Sequence, residues 1–213
     1  MIEFTNKSGI LSRLRHSESG IALTEFALAL PVFITLTVGG LEYANLASTH
    51  LRISQIAMSV ADNAGRYDPS IDESDIGELI AAAEVVGDTL NFTANGRVVL
   101  SSLQHNGLSD DDEGQVINWQ RCFGDLSVVS AYGVENDGET DDSFAAGMGE
   151  TGNKIVAADG TAVMFVEVTY DYEPFFPGVI PASQIRYESA FNVRSRNSFD
   201  ITNVNNEPIN SCT

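Results

Sequence analysis

Gly20, Ile21, Glu25 and Phe26 form the one constellation in this 213-residue sequence whose types and spacing propose chemistry. A polar leader carrying Lys7, Arg13 and Arg15 ends at Gly20, and the run from Ile21 to Leu41 that follows holds no ionisable residue except Glu25. Ordinary secretory signals place their cut after the apolar segment, at small residues. Here the small residue stands in front of it. A cut between Gly20 and Ile21 would leave the apolar segment on the mature chain, create an α-amine on Ile21 and make Glu25 the fifth residue. A lone carboxylate in lipid is costly unless it is paired or protonated, and the new amine would be a cation at nearly the same depth. The plainer reading is a glutamate at the headgroup level of a simple anchor, where a charge is cheap.

The other reactive side chains propose less. Cys122 and Cys212 are the two cysteines, and an even pair in an exported body reads most simply as one disulfide. It would tie the C-terminus back to mid-chain and stabilise by roughly 4–5 kcal/mol through loop-closure entropy. Two free thiols or a metal pair is the weaker reading, because no third or fourth ligand lies near either cysteine. His16, His50 and His105 are scattered, with no H-E-x-x-H, G-x-S-x-G or Cys-His pairing. The expectation is therefore a chain that is not an enzyme and needs no metal or cofactor. The acidic runs Asp110–Glu113 and Glu135–Asp142 offer oxygen ligands for Ca²⁺ but lack EF-hand spacing, so solvated loops fit them better. "GMGETG", Gly147 to Gly152, spells G-x-G-x-x-G without the βαβ context the fingerprint requires and reads as a loop.

These residues need elements to hold them. Twenty-one residues from Ile21 to Leu41, at about 1.5 Å each, reach the roughly 30 Å of a hydrocarbon core. Residues 1–20 carry a local charge of +1 and residues 21–213 one of −20, which places the N-terminus in the cytoplasm and the body across the membrane. The total of −19 excludes a nucleic-acid groove, which draws its affinity from clustered cations. Pro31 should bend or loosen the span; a partner helix and an ordinary anchor both accommodate it. Beyond Leu41 an apolar face continues through Leu46, Ile53, Ala57, Val60 and Ala64 at spacings of three and four, predicting one helix over 21–64, stopped by Gly65 and Asp68-Pro69.

A second helix beginning between Ser70 and Asp75 and ending at Gly87 follows, with Ile76, Leu79, Ile80 and Ala83 on one side. The period then changes to that of strands over 97–103, 115–122, 162–173 and 184–194. The polar connection 106–114 predicts an antiparallel hairpin between the first two. The alternation in "AVMFVEVTYDY" predicts a strand with one buried face, and the glycine-rich, acidic stretch 133–160 predicts a loop region between ordered and mobile. Phe175 and Phe176, flanked by prolines, read as core residues, with an exposed subunit contact as the less favoured alternative. The fold class is α+β: a long N-terminal helix packed on an antiparallel sheet. The organisation is a leader at 1–20, the helix at 21–65 with its membrane span at 21–41, and an exported α+β body at 66–213.

Gly20, Glu25 and Phe26, followed by "ALALPVFITLTVGGLEYANL", resemble the leader and first helix of type IV pilins and pseudopilins, in particular the TadE-like minor pseudopilins of the tight-adherence (Flp) pilus system. "WQRCFG" from Trp119, "SAYG" from Ser130, "AVMFVEVTYDYEPFF" from Ala162 and the final Cys212 are similar to the bodies of TadE-like proteins. The resemblance implies cleavage after Gly20 by a prepilin peptidase, and a pilin-like fold. It implies an inner-membrane protein with a periplasmic body. Its partners would be other pilins and pseudopilins, with incorporation into a pilus base or tip used for surface adhesion. Glu25 would meet the Ile21 amine of a neighbouring subunit and set the axial register of one helix against the next. Major pilins favour Tyr after the glutamate, where Phe26 stands here. TadG-like relatives add a metal-binding Asp-x-Ser-x-Ser motif that is not found here. The rival is an uncleaved, membrane-anchored periplasmic binding or stalk module; a third reading is a secreted Ca²⁺-dependent protein whose apolar stretch is discarded.

Overall fold

A computed structural model describes residues 19–194 and 198–212, so most of the expected leader lies outside the described residues. Helix α1 spans Ser19–Ala64 and passes through Pro31 without a break. It starts two residues before Ile21, so Gly20 and Ile21 are both helical. Two structural units result: one is the helix up to Asn45 together with Pro174–Ile180, the other is Leu46–Glu173 with Pro181–Thr213. The division falls inside α1, between Asn45 and Leu46.

In the second unit α1 stops at Gly65, whose N–H bonds Ala61 O at 3.1 Å. Strand β1 (Ile71–Asp72) leads into α2 (Glu73–Gly87), and the short α3 (Phe92–Asn95) precedes β2 (Gly96–His105). The strands β3 (Gln115–Phe123), β4 (Ala162–Tyr172) and β5 (Ser183–Asn192) complete an antiparallel sheet of order β3-β2-β4-β5. The expected β2–β3 hairpin is present. A second, two-stranded sheet was not expected: β6 (Ile201–Thr202) runs parallel to β1.

The even-numbered residues of β4 (Met164, Val166, Val168, Tyr170, Tyr172) face Ile53, Ile56, Val60 and Ala64 of α1 and Ile76 and Leu79 of α2 in one apolar core. The odd-numbered residues Val163 and Phe165 join Leu103, Ile117, Met148 and Ala157 in a second, smaller core. The expected one-sided strand is thus buried on both faces, with Asp171 the exposed exception. The cover on the odd face is the connection between β3 and β4, read from the sequence as a loop region. Gln115 clamps it, donating to Ala157 O at 3.1 Å and accepting from Ala157 N at 2.6 Å, and Tyr132 meets Phe165 edge-on with centroids 5.7 Å apart. "GMGETG" is part of this cover. Met148 is buried and exchanges backbone hydrogen bonds with Ile155, while Gly147 holds φ +76 with Ile155 O only 2.0 Å from where a Cβ would stand. Glycine is obligatory there.

A bulge serves both cores. The β2–β3 register slips between Ser102 and Leu103, leaving Asn118 unpaired, so Ile117 enters the second core and Trp119 the first although they are two residues apart.

Asp72 caps α2 with a reciprocal capping box: Ser74 N donates to its carboxylate at 3.1 Å, and Asp72 N donates to Asp75 at 2.8 Å. Its other oxygen accepts from Thr202 Oγ1 at 2.8 Å and Val204 N at 3.0 Å, tying the C-terminal segment to the helix start. The Val204 N–H, then the Ser74 N–H and the Thr202 hydroxyl, hold the Asp72 carboxyl down at about 2, from the usual 3.8. A lowered folded-state value means the carboxylate's contribution is complete above the unfolded value and disappears as pH falls through the folded one. Urea midpoints of the wild type should therefore drop between pH 3.8 and about 2, and that drop should be smaller in Asp72→Asn. Identical pH profiles would refute the assignment.

Candidate functional site

The arm from Gly20 to Thr37 exposes every side chain. Leu28 is 77% and Phe33 73% exposed, and apolar residues point in all directions rather than along one stripe. A helix apolar all round is buried in a core or in a membrane. Nothing among the described residues covers this one. By length and composition the helix is sufficient to cross a membrane. The hydroxyls within it are neutralised locally: Thr24 donates to Ile21 O, Thr35 to Pro31 O and Thr37 to Phe33 O, each at 2.8 Å.

Glu25 has no such partner among the described residues and is exposed. It stands four residues after Ile21, which places both on one face of the helix, roughly 5–6 Å apart between Cβ atoms. Phe26 is exposed beside it. A Cβ added at Gly20 would meet nothing within 4 Å. No packing among the described residues requires a glycine here.

Just beyond the arm, α1 holds a residue whose role local sequence does not announce. By sequence Glu42 is simply the acidic residue that follows the span. In the structure its side chain is completely buried and accepts hydrogen bonds from Phe175 N at 3.2 Å and Phe176 N at 2.9 Å. Charge-assisted bonds of this kind are about twice as strong as neutral ones. The available signal was compositional: in "EPFFP" only the two phenylalanines carry N–H groups between the prolines, and those donors need an acceptor. Nothing local in the sequence says that the acceptor lies 133 residues upstream.

In the body, Cys122 and Cys212 form a disulfide with a sulfur–sulfur distance of 2.09 Å across 90 residues. The segment 198–212 lies along β3: Cys122 N bonds Asn210 O at 2.8 Å, Trp119 Nε1 bonds Phe199 O at 3.0 Å, and Asn118 bonds Asp200 at 3.0 Å. The buried acids are matched with cations. Arg121 reaches Glu73 at 2.6 Å and Glu135 at 3.1 Å, and Arg186 pairs with Glu167, which also accepts from Ser130 and Ala131 N. These pairs tie α2 and the β3–β4 connection to β3, and β5 to β4. The acidic run 110–113 begins with a 3-10 helix at Asp110–Asp112 and the run 135–142 lies in turns and bends through residue 141, and no group of three or more His, Cys, Asp or Glu among the described residues is placed to hold a metal ion.

The family model described as TadE-like protein matches residues 20–62. The match begins at Gly20 and ends two residues short of the end of α1, so it lies wholly within that helix. No curated protein and no solved structure matches the chain.

Proposed function

We propose that this chain is a minor pseudopilin of tight-adherence (Tad) pilus assembly. A prepilin peptidase cuts it between Gly20 and Ile21, and it joins a pilus base or tip complex through its N-terminal helix. The observation that carries this reading is that two boundaries adjoin: the match to the TadE-like family starts at Gly20 and the apolar arm starts at Ile21, while no described residue packs against Gly20. A glycine that no described residue packs against, set directly before the apolar arm, is explained by an external reader. The apolar arm then passes from the bilayer, where lipid surrounds it, into a bundle of like helices without changing the kind of surface it buries. Burial in lipid gives no hydrophobic drive between helices, so a polar pair selects the partner and its register. Glu25 and the amine of Ile21 supply that pair.

The mechanism needs no catalytic group. The chain is a substrate of the peptidase and afterwards a subunit, its body exported on the far side of the inner membrane from the leader. N-terminal sequencing of the native protein should give a chain starting at Ile21. An intact Met1 in cells that build pili would replace this reading by the uncleaved anchor.

A further inference from the structure

We infer that the loop Pro174–Ile180 is an interfacial lipid anchor, seating Phe175 and Phe176 in the headgroup and upper acyl layer at the C-terminal end of the membrane span. The inference rests on the reading of Ile21–Leu41 as that span. Glu42 is the next residue, and side chains on a helix lean toward its N-terminus, so the Glu42 carboxylate reaches back over the last turn of the span. It holds the loop there through Phe175 N and Phe176 N.

Three properties make the loop fit lipid. It contains no ionisable side chain. Three of its five backbone donors are satisfied internally: Pro174 and Pro177 have none, Phe175 and Phe176 donate to Glu42, and Val179 N donates to Phe176 O at 3.2 Å. Backbone groups left open are what exclude irregular chain from a bilayer. Its apolar side chains, finally, point outward except for the buried Ile180: Phe175 is 74% exposed, and Phe176 and Val179 are also exposed. Tyr43 on the adjacent turn of the helix is 65% exposed and adds the amphipathic ring typical of membrane interfaces. The loop thereby continues the apolar surface of the arm outward by one turn. Being neutral, it should not distinguish anionic from zwitterionic lipid.

The test uses the full chain in phosphatidylcholine vesicles whose acyl chains carry bromine either near the headgroup or near the tail end. Trp119 is the single tryptophan and is buried in the body, so its emission is subtracted as a constant. Phe175→Trp should lose most of its added emission to the shallow bromine and little to the deep one, with weak quenching by aqueous iodide. Phe176→Trp repeats the reading at the neighbouring position. Leu30→Trp, at the middle of the span, should be quenched by the deep bromine, and Val204→Trp, exposed on the body, by iodide alone. Absence of quenching in Leu30→Trp overturns the span and this inference together. Quenching there with none in Phe175→Trp overturns the inference alone, and iodide then tells which alternative holds: accessible means a loop in water, shielded means a loop covered by a second copy or another subunit.

Discussion

Glu25→Ala and Glu25→Lys should leave the protein made and inserted while depleting it from the assembled appendage. The two effects have opposite signs in the alanine variant, which makes the result diagnostic. A carboxylate within the apolar layer opposes insertion by up to about 2.5–3.5 kcal/mol at the bilayer centre and less toward the surface, so removing it favours the membrane pool. Incorporation, by contrast, leaves the Ile21 amine of a neighbour without its partner. Truncating one side of a desolvated charge pair costs about 2–5 kcal/mol, which is at least about a 30-fold loss of incorporated subunit. Lysine adds repulsion against the same amine and should do worse. The measurement is the amount of this chain in purified fibres relative to the membrane fraction. Equal ratios in wild type and both variants would remove Glu25 from the assembly contact, and Glu25 would be an ordinary headgroup-level charge.

Removing the Cys122–Cys212 bond should lower the unfolding free energy by roughly 4–5 kcal/mol, the loop-closure term for a crosslink spanning 90 residues. That is about a quarter or more of the roughly 5–15 kcal/mol stability of a typical domain. The whole C-terminal stretch depends on it. Residues 198–212 contribute the two-residue β6, Phe199 and Ile201 at the margin of the first core, and a few hydrogen bonds to β3 and Asp72, a thin attachment for a terminal segment without a covalent tie. Urea unfolding of the full chain in detergent, oxidised against Cys122→Ala/Cys212→Ala, measures the loss. Amide exchange should show faster exchange first at Cys122 N, whose acceptor Asn210 is two residues from the bond. A change below about 1 kcal/mol would mean that the reduced, unfolded chain is already constrained.

What the amino-acid sequence determined by itself is what local repetition can encode. The span from Ile21 to Leu41 is legible because its apolar residues follow one another, and the extension to Ala64 because Ile53, Ala57, Val60 and Ala64 recur at helical spacing. The strands β2 to β5 announce themselves through β-branched and aromatic residues, α2 through its start near Asp72, and the β2–β3 hairpin through its short polar connection. Gly20 and Glu25 stand out because each contradicts its surroundings.

Tertiary structure alone decided the rest, because those features join residues far apart whose local sequence is unremarked. The odd face of β4 is covered by single residues such as Met148, Ala157 and Tyr132, which sit in glycine-rich, acidic chain with no period. The extra residue at Asn118 that parts Ile117 from Trp119 is visible only against its partner strand. Glu73 and Arg121 meet across 48 positions and Glu42 meets Phe175 across 133. Periodicity sums signals along neighbouring residues, whereas a buried acid is stabilised by whichever donors the folded chain brings to it. That assignment exists only once the layers have packed.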